Sequence, residues 1–235
     1  ILYGCIEMSK SRRVFQAIDL DRTLFDTRKL EEVSYALIAT LHPRIAKHAL
    51  QESARNIKAG TSFFIFRFLR EHLTKQEYTN YITALKEATQ PEDFRLEGAV
   101  ERIVFAKSKP EWSAGIVTYG LPEDQLLKME LAGFVDELPM LGTNTPDKGR
   151  VIGTWQQPDG RFLLPEELGG GYVEWVTLDD DKPEAFVHLP ARCYGVLVKG
   201  KSVTASKGIP AYTQPVAVVE TLHDSITYLR KLLAS

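Results

Sequence analysis

A run of β-prone residues, Val14-Phe15-Gln16-Ala17-Ile18, passes without a break into Asp19-Leu20-Asp21. A short run of this kind that ends abruptly predicts a buried strand with acids at its carboxyl end. Two carboxylates this close repel each other and shift each other's proton affinity unless a cation or a shared proton relieves them. Thr23, Leu24 and Phe25 follow. D-x-D-x-T placed directly after an apolar strand rarely arises by chance in one chain, so the chemistry of this chain is sought here first.

From Thr27 to about Gln90 the pattern turns helical, in four stretches near 28–41, 43–58, 62–73 and 75–89. Pro43 follows the first and Gly60 the second. Thr61 and Thr74 stand at N-cap positions, Thr74 with Glu77 three residues on as a capping box. Pro91 marks the exit. After Gly98 strands and helices alternate: a helix from Ala99 to about Lys107, a strand Ala114–Thr118, a helix from Pro122 to Gly133, a short strand near Leu138–Leu141 and a helix around Lys148. A strand over Tyr172–Leu178, a helix from Pro183, a strand Cys193–Val198 and a terminal helix Leu222–Leu233 complete the series, with Gly169-Gly170-Gly171 as a flexible connector. The expected fold is α/β: a doubly wound, parallel-sheet, Rossmann-like core formed by residues 8–26 and 96–235, with an inserted α-helical cap domain at 27–95. Residues 1–7 precede Met8 and are left out of this expectation.

In such sheets chemistry collects at the carboxyl ends of the strands. Thr118 ends the second core strand, in Gly115-Ile116-Val117-Thr118-Tyr119-Gly120, where a hydroxyl and neighbouring backbone N–H groups can donate to a phosphoryl oxygen. Lys148 opens a predicted helix. Asp179-Asp180-Asp181 closes the fourth strand, a hard oxygen set of the kind magnesium prefers. The order of parts is informative: acids, hydroxyl, lysine and acids, each at a strand end or the next helix start.

Several classes of function are disfavoured. The net charge is −2 with basic residues scattered, so no stripe tracks a nucleic-acid backbone. No apolar run reaches the roughly 18 to 20 residues a membrane helix needs. Cys5 and Cys193 match no metal spacing and form no disulfide framework, which fits a cytoplasmic setting. The five histidines are too dispersed to suggest a metal cluster.

The segment Phe15 to Thr27 (FQAIDLDRTLFDT) resembles the first motif of the haloacid dehalogenase (HAD) superfamily. Val117-Thr118-Tyr119-Gly120 is similar to its second motif, Lys148 to its third and Leu178-Asp179-Asp180-Asp181 to its fourth, and the likeness spans roughly residues 14 to 232. The resemblance implies a magnesium-dependent phosphatase acting on a small phosphorylated metabolite. Asp19 would be the nucleophile, forming an aspartyl phosphate, and Asp21 would protonate the leaving group and then activate water. Thr118 would bind the phosphoryl group, with Tyr119 next to it as a further substrate contact, and Lys148 would balance the charge of Asp19 and phosphate. Arg22 departs from the pattern, standing where such phosphatases often have a small residue, and is expected to narrow the entrance or add an anion-binding charge for substrate. Mg²⁺ would be held by Asp19, the Asp21 carbonyl, Asp180 and then Asp179, since three consecutive acids leave the register open by one residue. Lys128 and Lys182 are alternatives to Lys148. A phosphomutase, a dehalogenase or a non-catalytic binding protein of the same fold are the competing readings; the acid at Asp21 favours phosphoryl chemistry, since a halide leaves without a proton. No nucleic acid or membrane is expected as a partner, and the expected state is a monomer or homodimer. Arg28, Arg67 and Arg70 are cap candidates for contact with substrate.

Overall fold

The computed structural model describes residues 13–59, 61–199 and 212–234. Gly60, Cys5 and the stretch around Met8 lie outside these residues.

Strand β1 (Val14–Ile18) is buried at every position, as a strand covered on both faces must be. It lies at the centre of a six-stranded sheet of order β3-β2-β1-β6-β7-β8. Its neighbours are β2 (Trp112–Tyr119) on one side and β6 (Trp175–Asp180) on the other, both parallel to it. β3 (Met140–Thr143), β7 (Cys193–Val198) and β8 (Val216–Val219) extend the sheet, also in parallel. The chain winds outward from β1 through β2 to β3, then returns to place β6 against the free side of β1. The winding therefore reverses between β1 and β6, and their carboxyl ends flank the crevice where such sheets bind ligands.

Alternation along the strands sends side chains to two core clusters. Ile18, Ile116, Val196 and Val198 face one side, against Ile103 and Phe105 of α5 (Ala99–Ala106) and Leu222, Ile226 and Leu229 of α8 (Leu222–Leu232). Phe15, Ala17, Val117, Val176, Leu178 and Leu197 face the other, against Ile152 of α7 (Lys148–Gly153) and Phe162, Phe186 and Leu189. A further core helix, α6 (Pro122–Ala132), starts at a proline and ends on Gly133 in the left-handed region, φ 70°.

Four helices interrupt the core: α1 (Thr27–Leu41), α2 (Pro43–Ala59), α3 (Ile65–His72) and α4 (Lys75–Thr89). The chain leaves and returns through two adjacent crossings. Asp26 N donates to Phe94 O at 2.7 Å and Leu96 N to Leu24 O at 2.9 Å, while the Phe25 and Phe94 rings stack with centroids 5.4 Å apart. The capping box of Thr74 and Glu77 is present at the start of α4. Thr61 does not cap α3, which begins after Phe64; its hydroxyl and N–H bond back to Asn56 instead. Only a 3-10 turn, Pro183–Phe186, forms where a helix is expected after β6. Residues 162–173 form a small antiparallel hairpin of β4 (Phe162–Leu163) and β5 (Tyr172–Val173), with all three glycines 169–171 at positive φ. No helix among the described residues is long and apolar enough to cross a membrane.

Gly149 shows how tightly the core seats the start of α7. A Cβ there would come within 2.8 Å of the backbone of His188 and Leu189, which cannot swing aside. Gly149→Ala is therefore expected to destabilise the protein by about 1–3 kcal/mol through overpacking. A thermal melt checks this; an unchanged melting temperature would mean that the 188–189 segment yields freely.

Candidate active site

β1 delivers Asp19 to the crevice, where its N–H donates to the Asp179 carbonyl of β6 at 2.9 Å. Asp180 and Asp181 come from the other side of the same crevice. Asp19, Asp180 and Asp181 are all buried, and one carboxylate oxygen from each lies within 4.8 Å of the others. Lys148, at the first position of α7, reaches in from above; its buried ammonium donates to both Asp19 Oδ1 and Asp180 Oδ2. The helix start that carries it is held by Asp147, whose carboxylate caps Arg150 N and pairs with His188 Nδ1 at 2.6 Å. Three acids and one lysine leave an excess of negative charge in a dry place. Burial pushes the Asp19 carboxyl up; the opposing Lys148 is outweighed once Asp180, Asp181 and Asp21 add their repulsion, and Asp19 stands at about 8. Asp181 is raised to about 6, by burial and then by Asp180. Lys148 is raised as well, because Asp180 and Asp19 outweigh the burial that disfavours its charge. Asp181 Oδ1 has no hydrogen-bond partner among the described residues. Clustered, charged and under-satisfied carboxylates of this kind form a site that can hold a divalent metal ion.

Asp179 does not join them. Alternation along β6 turns its side chain to the opposite face of the sheet, where it is fully buried and takes two 2.9 Å hydrogen bonds from Arg102 Nε and Nη2 and another from Ser225. The expectation that Asp179 holds a metal is corrected here: the acidic cluster is built from Asp180 and Asp181, with Asp179 serving the core.

Asp21 stands apart from the cluster. Its carboxylate accepts from Lys128 Nζ at 2.6 and 2.8 Å, from Thr27 Oγ1 at 2.6 Å and from Gln125 Nε2 at 3.2 Å. Burial favours its neutral form, yet the Lys128 ammonium and these donors hold it at about 2. Lys128 and Gln125 are three residues apart on α6 and so share one face; this spacing is visible in the sequence, but nothing local shows which strand end the face meets. Thr118 is fully buried, and its hydroxyl has no partner among the described residues. Tyr119 lines the same cleft as Asp19, Asp21, Lys148 and Asp180, and its ring meets Phe64 of the cap edge-on at 5.5 Å. Arg22 holds a left-handed backbone, φ 60°, in which glycine is favoured, and its guanidinium lies 4.0 Å from Asp181. Of the cap arginines, Arg70 is taken up by Asp124 of α6, with contacts of 2.6 and 3.1 Å, and Arg67 by Glu71. Arg28 lines a separate cleft beside Asp181.

No protein-family model and no curated protein sequence matches the chain. Solved structures do. A protein described as a haloacid dehalogenase-like hydrolase from Burkholderia xenovorans superposes over 95% of this chain and 100% of its own, with a TM-score of 0.65 at 14% identity. The HAD-hydrolase YfnB of Bacillus subtilis, bound to magnesium, matches over 93% and 99% with a TM-score of 0.54 at 15% identity. The L-2-haloacid dehalogenase of Xanthobacter autotrophicus matches over 92% and 98%, with a TM-score of 0.52 at 14% identity. Together with the parallel sheet, the four-helix insertion after β1 and the acids at the ends of β1 and β6, these likenesses establish that the chain has the fold of the haloacid dehalogenase-like hydrolases.

Proposed function

We propose that this protein is a magnesium-dependent phosphomonoester hydrolase of the HAD superfamily, working through an aspartyl phosphate on Asp19. The observation that carries the reading is Lys148 bridging Asp19 and Asp180 beside Asp181. A buried carboxylate, a fixed cation and a group of hard oxygens, gathered at the winding reversal of the sheet, support the reading of Asp19 as nucleophile beside a cation site. The donor set fits Mg²⁺: the candidate ligands are all carboxylate oxygens lying within 4.8 Å of one another, and Asp181 Oδ1 has no hydrogen-bond partner among the described residues. The magnesium in the similar Bacillus hydrolase supports the same choice. Bound there, Mg²⁺ would neutralise charge on the phosphoryl group and polarise it.

The residues of the chain divide the work. An Asp19 oxygen attacks phosphorus and the bond to the ester oxygen breaks, giving an aspartyl phosphate and an alcohol; water then attacks phosphorus and restores Asp19 with release of phosphate. Lys148 lets a carboxylate approach a dianionic phosphate. The Thr118 hydroxyl supplies a donor to a phosphoryl oxygen. Asp21 is ionised, so the proton for the departing oxygen comes from the Lys128 ammonium and passes through Asp21; Asp21 then takes a proton from the attacking water and returns it to Lys128. That pairing is why phosphoryl transfer is preferred to dehalogenation, in which the leaving halide needs no proton.

Release of phosphate from p-nitrophenyl phosphate and a panel of sugar, nucleotide and acid phosphates, with Mg²⁺ and with excess EDTA, tests the reading. Turnover that EDTA abolishes supports it, and turnover indifferent to EDTA refutes the metal. A second expectation concerns pH. Asp19 and Asp181 are raised in the fold, so protons compete with Mg²⁺ below about 8 and about 6 respectively. The rise in melting temperature with Mg²⁺ should therefore be largest at alkaline pH. At a hundredfold excess over the dissociation constant it should reach on the order of 5–10 °C, and it should fade as the pH drops towards about 5. Equal shifts at both pH values would place the ion elsewhere.

A further inference from the structure

We infer that the cap-facing end of the cleft selects phosphomonoesters whose leaving group is uncharged or cationic and presents a hydrogen-bond donor to Glu31, and that it rejects leaving groups carrying a second acid. This rests on the phosphomonoesterase reading above and names its substrate class.

The pocket around Asp19, Lys148 and Asp180 shares Asp21, Tyr119 and Lys182 with a larger cleft that continues under the cap to Leu30, Glu31 and residues 62–66. A phosphoryl group at Asp19 therefore points its ester oxygen toward Asp21 and its leaving group toward α1. The charges along that path are mostly matched within the protein. Lys128 is paired with Asp21, Asp124 with Arg70, and Arg22 sits 4.0 Å from Asp181. Two charged groups of the cleft have no opposite partner within 4.0 Å and no side-chain hydrogen bond among the described residues: Lys182, at the phosphoryl end, and Glu31, at the cap end. Lys182 lines both the phosphoryl pocket and the larger cleft, and Arg22, which lines the larger cleft but not the phosphoryl pocket, is turned to Asp181, so among the described residues Glu31 is the unpaired charge at the cap end.

Glu31 is partly buried, and burial raises its carboxyl, with Arg22 and then Lys128 as the cations that oppose this. Phe63, Phe64, Ile65 and Phe66 supply the opposing wall. A carboxylate in such a setting gains from a donor and repels another carboxylate, and the apolar wall strengthens both effects by excluding water. A hydroxyl and an ammonium satisfy Glu31 alike.

Glycerol 3-phosphate, phosphoethanolamine and 3-phosphoglycerate separate these cases, since the first and third differ chiefly by a hydroxymethyl against a carboxylate at the far end. The expected kcat/KM for either donor-bearing ester exceeds that for 3-phosphoglycerate by at least about tenfold, and the better of the two tells hydroxyl from ammonium. Glu31→Gln should shrink that ratio to within about threefold, and Glu31→Lys should invert it in favour of 3-phosphoglycerate. A wild-type preference for 3-phosphoglycerate, or a ratio that neither variant moves, overturns the inference while p-nitrophenyl phosphate turnover leaves the phosphatase reading standing. If no ester is hydrolysed, that reading fails separately, and calorimetric binding of the three esters to Asp19→Asn protein decides the selectivity. The same order of affinities upholds it; equal or undetectable binding overturns it.

Discussion

Asp19→Asn is expected to lower the rate of phosphate release by at least ~10⁴-fold, because a carboxamide cannot form the acyl phosphate. The same change should raise the melting temperature of the metal-free protein at alkaline pH. Asp19 is raised to about 8 in the fold against 3.8 for the ordinary group. A carboxyl raised in this way holds its proton better folded than unfolded, so stability falls as pH climbs from the lower value through the higher. Asparagine removes that charge from beside Asp180, Asp181 and Asp21 and should flatten the decline. Thermal melts in EDTA at about pH 5.5 and about pH 8.5 read the slope directly. A variant that keeps kcat within tenfold of wild type would remove Asp19 as nucleophile. One that melts lower than wild type at the higher pH would show that the acidic cluster is not under repulsion.

The second large effect lies on the other face of the sheet. Arg102 and Asp179 are both fully buried, and Arg102 Nη1 also donates to Gln16 Oε1 at 2.9 Å, so the network joins α5, β1 and β6. Arg102→Met would leave the Asp179 carboxylate in the core with Ser225 as its remaining side-chain donor, a loss of about 3–5 kcal/mol. That is a large part of the 5–15 kcal/mol, roughly, that holds a domain folded. Urea denaturation measures it. The double change Arg102→Met with Asp179→Leu should recover much of the loss, since it removes the stranded charge together with its partner. A single variant within about 1 kcal/mol of wild type would mean that water reaches Asp179. Because Asp180 and Asp181 follow Asp179 directly, loosening this network should also misplace the acidic cluster.

The alternation of strands and helices, and with it the parallel α/β core, was legible in the sequence because the central strands are short, mostly apolar and β-prone runs and most of the helices have a proline, glycine or capping residue at a boundary. The four helices between Thr27 and Thr89 were legible for the same reason, down to the Thr74–Glu77 box. Local signals failed where segments are short or where capping has competitors. β4 and β5 hold two residues each, β8 sits next to residues of mixed character, and Thr61 bonds backward to Asn56 instead of forward into α3.

What the sequence alone determined is the set of chemical groups and the end of the sheet at which they collect: Asp19 and Asp21 after β1, Thr118 and Tyr119 ending β2, Lys148 starting α7, and three acids closing β6. Only the tertiary structure decided how those groups divide. A strand shows its side chains to opposite faces in turn, so a shift of one residue moves a carboxylate from the crevice to the core. The pairing of Asp179 with Arg102, seventy-seven positions apart, is what resolves that register. The same holds for Lys128 against Asp21 and for Glu31 at the cap end of the cleft. Such contacts join elements far apart along the chain, and long-range packing, which no local pattern encodes, brings them within reach of one another.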